Sequence, residues 1–257
     1  MREWVEVGGC RLEYEWVGVA KPGCPTLVFL HEGLGCIAVW RDFPQRLADA
    51  TGCRTLVFSR RGYGNSDPVP GPRTARYMHE EALEVLPCLL QALGVEQPVL
   101  VGHSDGASIA LIHAGSHPQG VAGVVVLAPH CWVEAEALAG IRRAGQVWRE
   151  TDWPQRLGRH HRDGDRVFHD WHDTWLSEAF RDWNIEACLA GIAVPVLAIQ
   201  GIQDEYATLR QIEVIAERVP AAVSLLKLAD CGHSPHRDQP EAVIRAIVDY
   251  LRQLPQA

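Results

Sequence analysis

The pentapeptide Gly102-His103-Ser104-Asp105-Gly106 separates an apolar run at 98–101 from a helix-like segment at 107–114. Glycine two residues before and two residues after a serine permits a strained turn in which a larger residue would meet the neighbouring backbone. Such a turn lifts the Ser104 hydroxyl out of a sheet and presents it to a substrate. The pattern therefore predicts a strand, a tight turn and a helix, with Ser104 as a candidate nucleophile.

Composition and charge narrow the classes of function. The chain has 257 residues, of which 47% are hydrophobic, which is enough for one large α/β core. Its 24 basic and 32 acidic residues give a net charge of -8, which disfavours a nucleic-acid surface and favours a small-molecule partner. No stretch approaches the roughly 20 apolar residues of a bilayer span, and residues 1–6 do not resemble a signal peptide. We expect a cytoplasmic protein without a membrane partner; whether it forms a homo-oligomer stays open.

Strand and helix patterns alternate along the chain in the order that builds a mostly parallel sheet. Strands are predicted at 4–7, 11–17, 26–30, 55–58, 98–101, 121–127, 194–200 and 223–228, the first two as a hairpin. Helices are predicted near 39–50, 74–93, 107–114, 208–219 and 240–254. The expected fold is an α/β domain in which helices cover both faces of an eight-stranded sheet.

The segment 130–190 shows no strand pattern and holds six of the nine tryptophans. We predict that it is a helical cap inserted into a core formed by 1–129 and 191–257. So many aromatic rings suit a segment that lies over a site, although some rings must fasten the insert to the core. Trp132, Trp171 and Trp175 are the candidates for substrate contact.

Four motifs resemble those of the α/β-hydrolase superfamily, in its cap-bearing branch, and the resemblance spans essentially the whole chain. They are the loop His-Glu-Gly-Leu-Gly at 31–35, the turn Arg-Gly-Tyr-Gly-Asn-Ser-Asp at 61–67, the turn at Ser104, and Asp204 followed by His233 after the last two strands. The order Ser, Asp, His is the one that this fold uses. The resemblance implies a nucleophilic serine, a catalytic base and an acid.

The chemistry of these residue types predicts their roles. A serine hydroxyl needs a nearby base with a pKa close to 7, and we assign His233. The second ring nitrogen of His233 needs an acceptor, which Asp204 supplies. Glu205 is the weaker candidate for the acid, and His236 is the weaker candidate for the base because only His233 directly follows a glycine in the family-like loop.

An oxyanion must meet N–H donors that are already in place. We expect the backbone N–H groups of Gly33 and Asp105 in this role, with Leu34 as the neighbour if the loop is offset; Leu34 is also a candidate substrate contact. Asp105 could itself be imagined as the nucleophile, as in epoxide hydrolases or haloalkane dehalogenases. If Asp105 were the nucleophile, His103 would stand two residues before it, where the turn needs a small residue. The bulk of His103 disfavours this assignment.

Two positions depart from the usual family pattern. Glu32 stands where the family commonly has glycine, and Ser59 stands where it often has aspartate. We hypothesise that Glu32 forms the ion pair with Arg61 or Arg60 that the missing aspartate would have formed.

The Asp105 side chain is a further departure, because Met, Leu or Gln is common at this position in the family. Its carboxylate could lie at the pocket floor and select a cationic substrate. Alternatively, it is an acid favoured at a helix N-terminus with no substrate contact.

A metal site is a weak alternative in the cap. His169 and His172 are spaced i and i+3 and could share a ligand face, but the sequence fixes no third ligand. We therefore expect neither a metal nor a cofactor.

The residues and the resemblance together predict a serine hydrolase that cleaves a small carboxylic ester or lactone through an acyl-enzyme. C–C bond hydrolysis and thioester hydrolysis remain alternatives, although Ser234 stands where C–C hydrolases typically have tryptophan. A non-hydrolytic ligand-binding or lyase member of the fold also stays open.

Overall fold

Eight strands form one sheet in the computed structural model, which describes residues 2–255. The strands are β1 (Glu3–Val7), β2 (Cys10–Val17), β3 (Leu27–Leu30), β4 (Thr55–Phe58), β5 (Val99–His103), β6 (Gly123–Leu127), β7 (Val196–Gly201) and β8 (Val223–Leu228). Their order is β1-β2-β4-β3-β5-β6-β7-β8. β2 pairs antiparallel with both β1 and β4, and the other pairs are parallel, so the predicted fold class is confirmed.

The central strands are buried on both faces, which explains their continuous apolar sequences. In β3, Leu27 and Phe29 point towards one core layer, whereas Val28 and Leu30 point towards the layer on the opposite face. β4 and β5 lie on opposite sides of β3. The chain thus changes direction across the sheet at β3, and the carboxyl ends of β3 and β5 border the crevice where ligands of open α/β sheets bind.

Helices cover both faces of the sheet. They are α1 (Phe43–Thr51), α2 (Tyr77–Glu80), α3 (Leu86–Ala92), α4 (Asp105–Ser116), α5 (Ala135–Glu150), α6 (Trp153–Gly158), α7 (Gly164–Leu176), α8 (Glu186–Leu189), α9 (Arg210–Arg218), α10 (Pro235–Asp238) and α11 (Pro240–Gln253). Short 3₁₀ helices occupy Ile37–Trp40 and Glu178–Phe180.

Two predicted helices differ from the observed ones. The helix predicted near 39–50 is divided at Arg41, whose φ of 54° is incompatible with an α-helix. The helix predicted near 74–93 begins at Tyr77 and contains a π-helical segment at Glu81–Val85. Pro87 follows this segment and lacks the N–H that would bond to the carbonyl of residue 83. The π-helical turn therefore lies where one α-helical hydrogen bond is missing.

The helices α5 to α8 occupy the segment predicted as the cap, and its division from the core at residues 130 and 190 stays a prediction. Several of its tryptophans pack against other cap residues. Trp148 stacks on Phe168 with ring centroids 3.9 Å apart, and Trp183 stacks on Phe180 at 5.2 Å. These rings hold the helices of this segment together.

Candidate active site

Ser104 occupies the turn between β5 and α4. Its φ of 52° and ψ of −119° are strained for a residue with a side chain, and its exposed fraction is 7%. A Cβ at Gly106 would overlap the carbonyl of Leu30, and one at Gly102 would overlap the backbone at the start of α4. The glycines flanking Ser104 are therefore required by the close approach of β3 and α4.

Loops at the ends of β7 and β8 bring two further residues to Ser104. The Ser104 hydroxyl lies 2.9 Å from His233 Nε2, and His233 Nδ1 lies 2.8 Å from Asp204 Oδ1. Asp204 Oδ1 also accepts the N–H of Tyr206 at 2.9 Å, and Oδ2 accepts from Gln200 at 3.2 Å. The structure thus brings together the three residues that the sequence selected, and it orients the carboxylate towards the imidazole.

The charges of this trio shift two pKa values in opposite directions. Burial alone lowers the pKa of His233, but the adjacent Asp204 carboxylate outweighs burial and leaves it above the ordinary histidine value. Burial raises the pKa of Asp204, but the His233 ring and the Tyr206 N–H outweigh it and leave the value below that of an ordinary aspartate. The imidazole is thereby suited to accept a proton from Ser104.

The weaker candidates for acid and base lie elsewhere. Glu205 Oε2 accepts the backbone N–H of His233 at 3.1 Å, so it holds the loop rather than the ring. His236 is buried against Trp40, with ring centroids 4.8 Å apart. Burial, followed by Arg237, lowers the pKa of His236 to about 3. The ring of His103 donates to the carbonyl of His233 at 2.7 Å and so supports the loop that carries His233.

The loop after β3 and the start of α4 supply backbone donors near Ser104. Within residues 2–255, the N–H groups of Gly33 and Asp105 donate to no protein acceptor. The N–H of Leu34 is occupied, because it donates to the Glu32 carboxylate. Gly33 also lies against the indole of Trp171, which leaves no room for a side chain.

The predicted ion pair of Glu32 is wrong. Arg61 donates to Glu81 at 2.9 Å instead. The buried guanidinium of Arg60 donates to the backbone carbonyl of Glu32 at 2.9 Å, not to its carboxylate. That carboxylate turns back to accept the N–H of Leu34, so it stabilises the loop from within.

The Asp105 carboxylate lies behind the cavity wall, which corrects the expectation that it meets substrate. It is fully buried and its Oδ2 accepts the Tyr77 hydroxyl at 2.5 Å. The same hydroxyl accepts the indole N–H of Trp175 at 3.1 Å. Burial raises the pKa of Asp105 despite the positive charge of Arg60 nearby. Asp105 therefore connects the start of α4 to the cap segment.

A cavity of about 670 Å³ opens beside Ser104 and His233, a size that suits a small-molecule substrate. Leu34, Trp171 and Trp175 line it as expected from the sequence, whereas Trp132 does not. Trp132 instead forms a β-bridge with Asn184. Residues that the sequence did not single out also line the cavity: His130, Trp153, Leu157, Tyr206, Arg41 and Arg237. No local motif marks these residues, because the fold brings them from separate elements.

Across residues 2–255, no group of three or more His, Cys, Asp or Glu side chains could hold a metal ion. His169 lies instead near Asp173, at 3.4 Å. Among the helices of the same residues, none is both long enough and apolar enough to cross a membrane.

Comparisons with known proteins agree with this fold. A family model of the alpha/beta hydrolase fold matches residues 25–163. One curated relative is 2-succinyl-6-hydroxy-2,4-cyclohexadiene-1-carboxylate synthase of Salmonella paratyphi C, with 24% identity covering 90% of this chain and 96% of the relative.

Two solved structures illustrate the shared fold. The thermophilic esterase from Thermogutta terrifontis has 24% identity and a TM-score of 0.70, covering 98% of each chain. The enol-lactonase from Burkholderia xenovorans has 20% identity and a TM-score of 0.74, covering 98% of this chain and all of that one. At these identities the similarity concerns the fold.

Proposed function

Because this chain belongs to the alpha/beta hydrolase fold family, we propose that it is a serine hydrolase that cleaves a small carboxylic ester or a lactone. The observation that carries the proposal is the pair of hydrogen bonds linking Ser104, His233 and Asp204 beside the cavity. In this proposal Ser104 is the nucleophile, His233 is the general base, and Asp204 orients the base.

The first half of the reaction forms an acyl-enzyme. Ser104 Oγ attacks the carbonyl carbon of the substrate while its proton passes to His233 Nε2. Asp204 accepts the Nδ1–H bond, which keeps the Nε2 lone pair available and stabilises the imidazolium that forms. The bond between the carbonyl carbon and the leaving oxygen then breaks, and His233 returns the proton to that oxygen.

The second half releases the acid. A water molecule loses a proton to His233 as it attacks the acyl carbon, and the bond to Ser104 Oγ breaks with return of the proton to Oγ. In both halves the free N–H groups of Gly33 and Asp105 stabilise the oxyanion, because they are fixed by the backbone and have no competing acceptor. Trp171 holds the apolar part of the substrate.

A second candidate is a non-hydrolytic reaction of a cyclic carboxylate on the same three residues. It is favoured by the curated relatives, whose name describes a synthase that makes a cyclohexadiene carboxylate. In this case His233 would still act as a base, but no acyl group would become attached to Ser104.

The test combines turnover with trapping. We expect 4-nitrophenyl esters or small lactones to be hydrolysed, and an aryl fluorophosphonate to add to Ser104, detectable by mass spectrometry. Ser104→Ala should lower kcat by at least about 10³-fold, and Asp204→Asn by about 10³- to 10⁴-fold. Ser116→Ala is the matched control, because this serine is exposed at the far end of α4.

Two results would contradict the proposal. One is ester turnover that survives in Ser104→Ala, which would place the chemistry elsewhere. The other is a lack of turnover across acetyl and butyryl esters, thioesters and lactones. If the formation of a cyclohexadiene carboxylate from a cyclic carboxylate precursor then depended on Ser104, the second candidate would be supported.

A further inference from the structure

The rim of the cavity carries positive charge, although the chain as a whole has a net charge of -8. Arg41, Arg156 and Arg237 all line the cavity. Arg156 is paired with Asp152 at 3.0 Å. Within residues 2–255, Arg41 and Arg237 form no ion pair with a carboxylate. In the described part of the chain, two guanidinium groups therefore border the cavity without a direct ion pair, although the charge of Arg237 acts on the Glu32 carboxylate.

The two unpaired arginines lie on the same side of the cavity. Arg237 Nη2 donates to the carbonyl of Val39 at 2.9 Å, which fixes its side chain beside the segment after β3. Arg41 is two residues beyond Val39, where the chain leaves the 3₁₀ helix with a φ of 54°. Burial, and then the charges of Arg237 and Arg41, lower the pKa of His236, which places both guanidiniums near this ring.

The acidic residues of the cavity are already engaged by the protein. Glu205 Oε2 accepts the N–H of His233, and the Glu32 carboxylate accepts the N–H of Leu34. Burial raises the pKa of Glu32, and the N–H of Leu34 and the charge of Arg237 only partly offset that rise. Neither carboxylate is within ion-pair distance of Arg41 or Arg237, so the arginines are available to a ligand.

The geometry points to an anion subsite formed by Arg41 and Arg237 that binds a carboxylate or phosphate group carried by the substrate. This inference rests on the proposed function, which specifies the bond that is cleaved. It adds that the substrate carries a negative charge. Guanidinium groups form charge-assisted hydrogen bonds with both anions. The aromatic wall formed by Trp153 and Trp171 would hold the apolar part of the same substrate.

Matched ester pairs test the subsite. In one pair the acyl group differs, 4-nitrophenyl hydrogen adipate against 4-nitrophenyl methyl adipate. In the other the leaving group differs, the hexanoate ester of 4-hydroxybenzoate against that of methyl 4-hydroxybenzoate. We expect a charged ester to be preferred in at least one pair. The ratio of kcat/KM for charged over neutral ester should fall about 10- to 100-fold in Arg41→Gln/Arg237→Gln.

Two further variants separate charge from structure. Arg41→Lys/Arg237→Lys should retain part of the preference because it keeps both charges. Arg245→Gln should leave the ratio unchanged, since this exposed arginine of α11 does not line the cavity. The preference should also weaken as ionic strength rises, because the subsite lies at the exposed rim.

A binding measurement keeps the inference independent of turnover. Monomethyl adipate and dimethyl adipate are titrated into Ser104→Ala while tryptophan fluorescence is followed. We expect the anion to bind more tightly than the neutral diester, and its affinity to fall about 10-fold or more when Arg41→Gln/Arg237→Gln is added. Equal affinities in both backgrounds would overturn the subsite even if esters are hydrolysed. A third outcome separates the two proposals. If Arg41→Gln/Arg237→Gln abolished anion binding but the protein without substitutions hydrolysed no ester, the subsite would be supported and the proposed function contradicted.

Discussion

The two walls of the cavity are held together by different forces. The core wall presents Ser104, His233 and Asp204 from loops at strand ends, and directional hydrogen bonds fix their reacting atoms. The cap wall presents Trp153 and Trp171 from helices, mainly through apolar contact. Because hydrogen bonds fix angles and apolar contacts tolerate changes of shape, the core wall can fix a reaction while the cap wall selects a substrate.

Among the contacts that join the walls, three lie close to the proposed oxyanion donors or to the loop that carries one of them. Gly33 of the loop after β3 lies against Trp171. The hydroxyl of Tyr77 links the buried Asp105 to a cap tryptophan. His161 bonds to the same loop from the cap side. Altering each contact shows how far the chemistry of one wall depends on the other.

The largest effect is expected where the walls touch beside the proposed oxyanion donors. In Gly33→Ala the added Cβ overlaps the Trp171 indole, so the loop must shift and its N–H leaves its position. We expect kcat/KM to fall about 100-fold, because one preorganised donor is displaced. In the Trp171→Ala background the same substitution should lower kcat/KM by a clearly smaller factor, because the clash with the indole is absent.

The control is Gly158→Ala, whose new Cβ would meet no atom within 4 Å. Steady-state kinetics of the four combinations of Gly33→Ala and Trp171→Ala give the coupling between the walls. Purely additive effects would mean that the walls act independently at this point.

Local sequence patterns were sufficient to predict much of the core wall. The alternation of strands and helices, and the glycines around Ser104, each follow from a few adjacent residues whose backbone needs are strict. The loops that carry Asp204 and His233 lie at strand ends that the order of elements predicts, and the resemblance to the α/β-hydrolase motifs selected these two residues within them.

Long-range choices among polar partners could not be predicted. Arg61 pairs with Glu81, and this partner depends on how the helix at 77–92 packs against the turn that carries Arg61. The aspartate missing at position 59 has a counterpart in Glu13 of β2, which accepts the Ser59 hydroxyl at 2.7 Å. In the segment predicted as the cap, two tryptophans are half-buried and the other four are buried. No local sequence signal separates Trp153, which lines the cavity, from Trp132, which does not.

The second contact should chiefly affect stability. Tyr77→Phe removes the hydroxyl shared by Asp105 and Trp175, which leaves a buried carboxylate oxygen and an indole N–H without partners. We expect the free energy of unfolding to fall by about 2 kcal/mol. Tyr63→Phe is a close control, because the Tyr63 hydroxyl is also buried but has no hydrogen-bond partner. Denaturant titration measures both, and equal losses would show that the shared hydroxyl contributes nothing specific.

The third contact should give the smallest effect, visible as a dependence on pH. His161 Nδ1 accepts the N–H of Gly64 at 2.9 Å, and Nε2–H donates to the carbonyl of Leu34 at 3.0 Å, so the ring is neutral in this arrangement. Burial lowers the pKa of His161 to about 4, whereas the unfolded chain titrates near 6.5.

Below pH 6.5, His161 is therefore protonated in the unfolded state but stays neutral in the folded state. The free energy of unfolding falls as the pH falls. From pH 6.5 to 5.5 this ring should contribute a loss of about 1 kcal/mol. His161→Gln, which keeps a donor for Leu34 but does not titrate, should reduce the loss by that amount in urea titrations at each pH. His160→Gln is the control, since the neighbouring ring is exposed and accepts no N–H bond. An unchanged pH profile in His161→Gln would contradict this account, because it would mean that the His161 ring makes no contribution to the pH dependence of stability.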